Sequence, residues 1–257
     1  MSPHRPPARF PFALALAAGA AALAGLTARA ALAGDRDIQR VVSLGGSCQG
    51  CDLSTRKLEG ARFMGGDFRG ASLVGSDLKG AVFLGANFSG ADMAHANMRD
   101  AVVTGAVFHN ADFSGADLSG MTGVGVELQG AKLAAARLDG DELEGANLRE
   151  VQAQGAHFDH ARLIAAEMEG GDFAAASFRG TDLSGAMLAH ARLAGADFSG
   201  ARLKGAMLNG ADLSAARGLT RDQLSGVCMD RNTRLPSGAS AGDHGMPHLR
   251  VEWRGHC

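Results

Sequence analysis

Four cysteines, nine histidines and a scatter of aspartates are the side chains of this sequence with chemistry to offer. Cys48-Gln49-Gly50-Cys51 is a C-x-x-C, the spacing of a dithiol redox centre or of half a four-thiolate zinc site completed by Cys228 and Cys257. A redox dithiol needs a βαβ setting and a helix amino terminus to lower the attacking thiol's pKa, and neither is evident around Cys48. A zinc site needs all four sulfurs within about 2.3 Å of one ion, so the distance between the two ends of the chain decides that reading. His95, His109, His157, His160 and His190 are dispersed, while His244, His248 and His256 lie near Cys257 in a tail suited at most to adventitious metal binding. No nucleophile elbow, phosphate loop or H-E-x-x-H motif is present, so an enzyme finds no support and no cofactor is expected.

What positions these groups is a repeat. From Leu53 to Leu213 every fifth residue is Leu, Phe or Met at 30 of 33 positions, with Val103, Gly123 and Ala153 as the exceptions. Two residues earlier stands mostly Ala, and two residues later Gly at 22 of the 33. A period of five suits neither the 3.6 of an amphipathic helix nor the 2.0 of a half-buried strand. It suits a chain that turns a corner every five residues, points one large and one small side chain inward from each short side, and uses glycine at the corner. Four sides close a coil of about 20 residues, and stacked coils set each inward residue on its counterpart at the spacing of neighbouring strands.

The stretches A-D-F-S-G-A-D-L-S-G at 111–120 and A-D-F-S-G-A-R-L-K-G-A at 196–206 resemble the A-(D/N)-L-x-x unit of pentapeptide-repeat proteins, a likeness that runs over residues 51–215. It implies an all-β fold, a right-handed quadrilateral β-helix with short helical caps, the hand being taken from the family and not from the spacing. The 33 units make about eight coils and, at about 4.8 Å per coil, a rod about 40 Å long. The expected organisation is a signal segment at 1–33, an amino-terminal cap at 34–50, the β-helix at 51–215 and a carboxy-terminal cap and tail at 216–257. D-I-Q-R-V-V-S-L before Cys48 predicts a short helix, and Thr220-Arg221-Asp222-Gln223 has the form of a capping box that opens another, through about Gly226.

A rod of that length separates Cys48 and Cys51 from Cys228 and Cys257 by about 40 Å, too far for one zinc ion. Two local disulfides, Cys48–Cys51 and Cys228–Cys257, are the economical reading for an exported protein, with free or metal-binding thiols the alternative. The family resemblance favours bridging, since C-x-G-C-D-L looks like a frequent opening of the first coil. Folding the register by twenties places Asp52, Asp92, Asp112, Asp172 and Asp212 on one face. There Asp92 and Asp112 are close enough to raise each other's pKa or to share a cation, unless such residues simply bond nearby backbone. On the face of Phe63 and Phe83 the outward positions are apolar: Met64, Val82, Leu84, Val102, Val124 and Ile164, with Val107, Met187 and Met207 on the adjoining face. These form the candidate interaction surface, for a second copy of the chain, another protein or the chain's own tail. Gly123 and Ala153 interrupt the inward row and predict local cavities or bulges.

Arg5 and Arg9, an Ala- and Leu-rich stretch from Phe10 to Leu26, and Ala31-Leu32-Ala33 have the shape of a secretory signal peptide cleaved before Gly34. The stretch falls short of the roughly 20 apolar residues that span a bilayer, so no stable membrane anchor is expected after cleavage. Cleavage removes three arginines and no acid, which takes the formal net charge from −2 to −5. A mildly acidic surface of mixed sign predicts no nucleic-acid partner. The sequence points to a periplasmic or secreted bacterial protein, a non-catalytic scaffold or protein-interaction module working as a homodimer or with another partner. The resemblance implies one alternative, a DNA mimic that binds a topoisomerase as in the quinolone-resistance members, which requires a cytoplasmic location.

Overall fold

The computed structural model describes residues 46–236. The signal segment 1–33, the helix expected before Cys48, the tail from 237 with its three histidines, Trp253 and Cys257 lie outside the described residues. From Asp52↔Ser72 to Asp197↔Arg217 the chain is joined by parallel single-residue bridges, each linking a residue to the one twenty positions on. Each coil therefore has four sides of five residues. They are called the first to fourth side after the large inward residues of the first coil, Leu53, Leu58, Phe63 and Phe68.

The backbone donors account for this geometry. The amides of the central residue and of the corner donate to the next coil, as from Leu53 N to Ser72 O (2.7 Å) and Thr55 N to Val74 O (2.8 Å). The amide before the centre donates to the previous coil, as from Ser72 N to Cys51 O (2.8 Å). The small residue's amide closes the corner onto the preceding centre, as from Ala61 N to Leu58 O (2.9 Å). One amide per side is left over, the one after the centre. Where Asp or Asn precedes the centre its Oδ1 accepts that amide: Asp52 from Ser54 (2.9 Å), Asp112 from Ser114 (3.0 Å), Asp212 from Ser214 (3.0 Å). The preference for Asp and Asn at this position follows from the need to satisfy that donor.

Inside, equivalent residues stack. The rings of Phe63 and Phe83 lie 4.8 Å apart and 8° from parallel, and those of Phe68 and Phe88 4.8 Å apart and 6° from parallel, the strand-to-strand spacing. Gly123 and Ala153 do not leave the expected cavities. At both sides the bulk has moved to the normally small position, where Met121 and Val151 are buried. A methyl at Gly123 would overlap Val103 Cγ2, which fills the space.

The corners are left-handed throughout, with φ between 53° and 76°. Eleven of them are not glycine, and each of the ten from Thr55 to His190 is followed one coil later by glycine. For the larger side chains the reason is steric. His95 Nδ1 lies 2.7 Å from where a Cβ at Gly115 would stand, Asp100 Oδ1 2.8 Å from one at Gly120, and His160 Nδ1 2.7 Å from one at Gly180. A histidine, Asp100 or Asn110 at a corner thus leans over the next corner, which has to be bare, whereas Glu150 and Thr55 leave ordinary contact distances of 3.8 and 3.9 Å at Gly170 and Gly75. After the alanine corners the space at Gly155 is open, so the backbone conformation alone favours glycine there.

After eight regular coils the register slips at helix α1 (Arg221–Leu224), so that Met207 pairs with Cys228 and Asp212 with Arg234. The helix opens on the expected capping box: Thr220 Oγ1 accepts Gln223 N (3.3 Å) and Gln223 Oε1 accepts Thr220 N (2.7 Å). It stops two residues short of the expected Gly226. Gln223 Nε2 also donates to Phe198 O (2.8 Å) and Ala201 O (2.9 Å), fastening the helix to the last regular coil. Side chains replace the missing ladder partners beyond it, with Asp230 Oδ1 accepting Gly210 N (2.7 Å) and Thr233 Oγ1 donating to Leu208 O (2.9 Å).

The corner geometry makes a differential prediction. At Gly145, where nothing lies within 4 Å of an added Cβ, Gly→Ala carries only the left-handed backbone cost of about 1–2 kcal/mol. Gly115→Ala adds overlap with His95, about 1–3 kcal/mol more. The excess disappears when His95→Gly is made in the same chain, as read from urea denaturation midpoints of the four variants.

Candidate functional site

The register places the six apolar surface residues on the third side, in the two columns that flank its centres. Val82 and Val102 are bridged to each other on the third side, with Met64 and Leu84 beside them and Val124 at the far edge. Four of the five are half-buried, and Val124 is 62% exposed. Along the column after the centres, Val124 lies two coils beyond Leu84, past Thr104, and Ile164 two coils beyond Val124, past Glu144, which is ion-paired to Arg162. Val82 and Val102 carry no acceptor, so the left-over amides of Leu84 and Thr104 find no side-chain partner among the described residues. On the fourth side Met187 and Met207 are bridged, and Val107 lies four coils away from them.

The remaining outward columns are polar and largely self-neutralised. Asp112, Asp172, Asp182 and Asp212 each meet a cation of the next coil: Lys132 (3.2 Å), Arg192 (3.4 Å), Arg202 (3.3 Å) and Arg234 (3.5 Å). Such exposed pairs contribute about 0–1 kcal/mol apiece, but they leave no broad field of one sign. At Asp112, of the readings the sequence left open, bonding to nearby backbone prevails over mutual repulsion. Burial pushes its carboxyl up, yet the Ser114 and Lys132 hydrogen bonds outweigh this, and its pKa lies below the usual range. Asp197 is lowered to about 2, chiefly by the Ser199 hydroxyl and amide and then by Arg179. All five first-side aspartates accept the amide two residues on, with Asp92 and Asp172 taking those of Ala94 (3.1 Å) and Ala174 (3.2 Å).

Cys48 and Cys51 sit together where the stack begins, with Cα atoms 5.5 Å apart, the separation a bridge requires. Cys48 N and Gly50 N already donate to Asp67 O (2.8 Å) and Arg69 O (3.0 Å), so the ladder starts one side before Cys51. Cys228 lies at the opposite end, bridged through its backbone to Met207, and Cys257 lies outside the described residues.

His95, His160 and His190 are corner residues, and His109 Nε2 lies 3.5 Å from Glu127 Oε2. His157 is different: one ligand atom each from Asp139, His157 and Asp159 lies within 4.8 Å of the others. Sequence reading missed this group, although folding the register by twenties puts all three on the second side of successive coils. It also missed Asp141, which occupies a small inward position in place of alanine. Asp141 is fully buried; Oδ1 accepts Met121 N (2.9 Å) and Oδ2 has no partner. Burial raises its pKa well above the usual value, with Asp139 and Asp117 pushing the same way and the Met121 and Gly120 amides opposing.

The description "pentapeptide repeats" fits the chain in 8 copies, over residues 47–83 and 81–120 and in overlapping stretches from 127 to 214. The chain belongs to the pentapeptide-repeat family, whose fold is the right-handed quadrilateral β-helix. Among solved structures it is similar to HetL, a pentapeptide repeat protein involved in heterocyst differentiation regulation in the cyanobacterium Nostoc sp. strain PCC 7120. That match has 26% identity and a TM-score of 0.45, over 82% of this chain and 100% of that one. A thylakoid-lumen pentapeptide repeat protein of Arabidopsis thaliana matches at 30% identity and TM-score 0.37, over 38% of this chain and 68% of that one. QnrB1, a plasmid-mediated fluoroquinolone resistance protein, matches at 18% identity and TM-score 0.36, over 74% and 93%. No curated protein matches the sequence. Among the described residues no helix is long and apolar enough to cross a membrane.

Asp141 predicts a pH dependence. Its folded pKa is raised above the unfolded value of about 3.9, so its stabilising contribution is complete below about pH 4 and is lost as pH rises through the folded pKa. Asp141→Ala restores the residue usual at this position, and Met121 N keeps its bond to Leu118 O (3.0 Å). The variant is expected to be more stable than the native chain by about 1–3 kcal/mol at pH 7, with the gain shrinking toward pH 4 in thermal melts.

Proposed function

We propose that the protein is an exported, non-catalytic scaffold that binds another protein through the apolar patch on the third side of its first four coils. The observation that carries this reading is the patch itself. Met64, Val82, Leu84 and Val102 lie on neighbouring coils of the third side, with the exposed Val124 one coil beyond Val102, on a rod whose acids elsewhere are met by cations or amides, and a cluster of that kind is the usual mark of a protein interface. Export is read from residues 1–33, and the two ends suit local bridges, Cys48–Cys51 and Cys228–Cys257, of the kind that persist outside the cytoplasm. The columns of alternating charge argue against DNA mimicry, which needs a continuous negative surface.

Two measurements test this. Mass and amino-terminal sequencing of the native protein from separated cell fractions, with and without reduction, should give a chain starting near Gly34 and lighter by four thiol hydrogens. A full-length cytoplasmic chain with free thiols overturns export. A photo-crosslinker placed at Leu84 or Val124 should yield a discrete heavier adduct in cells, and one at Ser177 on the second side should not. Equal yields from both sides overturn the patch as the interface.

A further inference from the structure

The second side carries a group that neither the fold nor the apolar patch uses. Asp139 follows the centre of its side in the fifth coil, and His157 and Asp159 flank the centre of the same side in the sixth. In most outward columns an acid is followed one coil later by a cation or an amide, as Asp112 by Lys132, Asp182 by Arg202 and Asp77 by Asn97. Here a carboxylate is stacked on a carboxylate, and the third member is an imidazole.

Both carboxylates are held by one oxygen and present the other. Asp159 Oδ1 accepts the Ser177 hydroxyl and Arg179 N (3.1 Å), and no donor among the described residues reaches its Oδ2. Asp139 Oδ2 accepts Nε (3.2 Å) and an Nη (3.0 Å) of Arg137, and no donor among the described residues reaches its Oδ1. The imidazole of His157 is exposed and accepts or donates no hydrogen bond to a described residue. Anchoring of a carboxylate through one oxygen is one way proteins orient metal-binding side chains, and here it holds both carboxylates while the imidazole stays free to turn. The Arg137–Asp139 pair is exposed and weak, so it fixes the carboxylate without excluding a cation.

We propose that Asp139, His157 and Asp159 form a surface site for a divalent transition-metal ion, with Zn2+ the best match to one imidazole and two carboxylates. The ligand atoms lie within 4.8 Å of one another, so small side-chain rotations close them on one ion. The convex face leaves the remaining coordination positions to water.

The test is calorimetric titration of Zn2+ into the intact oxidised chain and into His157→Ala, Asp159→Asn and His190→Ala. The tail histidines present in all four forms supply a common background. The expected result is loss of one Zn2+ equivalent, or at least a tenfold weakening of it, in His157→Ala and in Asp159→Asn, with His190→Ala matching the native chain. Both altered side chains point outward, and unchanged circular dichroism and melting temperature report an intact fold. Uptake that is the same in all four forms, equally reduced in His190→Ala, or absent from the native chain overturns the site.

Discussion

The hydrogen-bond ladder between coils is the constraint from which the rest follows. Because a residue pairs with the one twenty positions on, all along the regular coils, every side must contain the same number of residues and every corner the same left-handed turn. Three of the five amides in a side are committed to neighbouring coils and one to the corner. The fifth is free, and the choice of Asp or Asn beside it is what gives the family unit its second letter. Backbone satisfaction, not packing preference, sets that part of the sequence.

The inward rows then have little freedom of placement but some of distribution. A large and a small residue must fill each side, and Met121 with Gly123, or Val151 with Ala153, fill it with the sizes exchanged. Interiors pack densely, so conserving total volume matters more than which position holds it. The far end shows the same economy in polar terms: Gln223, Asp230 and Thr233 supply by side chain what a further coil would have supplied by main chain.

The repeat, its 20-residue closure, the inward row and the capping box at Thr220 were legible in the sequence because each depends on local spacing or on a short motif. The expectation of cavities at Gly123 and Ala153 failed because a single position was read without its partner two residues earlier. At Asp112 the bonding to nearby backbone that the repeat position offers outweighs repulsion by Asp92, and Lys132, one coil on, adds to it. That Met64, Val82, Leu84, Val102, Val124 and Ile164 share one side follows from the register, whereas the ion pair of Glu144 with Arg162 between Val124 and Ile164 depends on side-chain placement. Asp139, His157 and Asp159 escaped notice because they lie close only after the register is folded, and because acids were followed only in the position before each centre. Asp141 was visible as a charge in an alanine column, but its orphaned oxygen is a property of the packed interior.

The leaning corners bear on how such a rod can lengthen. Tandem copying of one whole coil preserves the register, yet it sets every corner directly on its own duplicate. For the coil that carries His95, Asp100 and Asn110 this forces each side chain into the space of its twin, since each already covers the glycine above it. Coils with glycine at all four corners, such as those at 75–90, 115–130 and 195–210, can be repeated without such a collision. The bulky corners therefore divide the chain into stretches that can be duplicated one coil at a time and stretches that cannot.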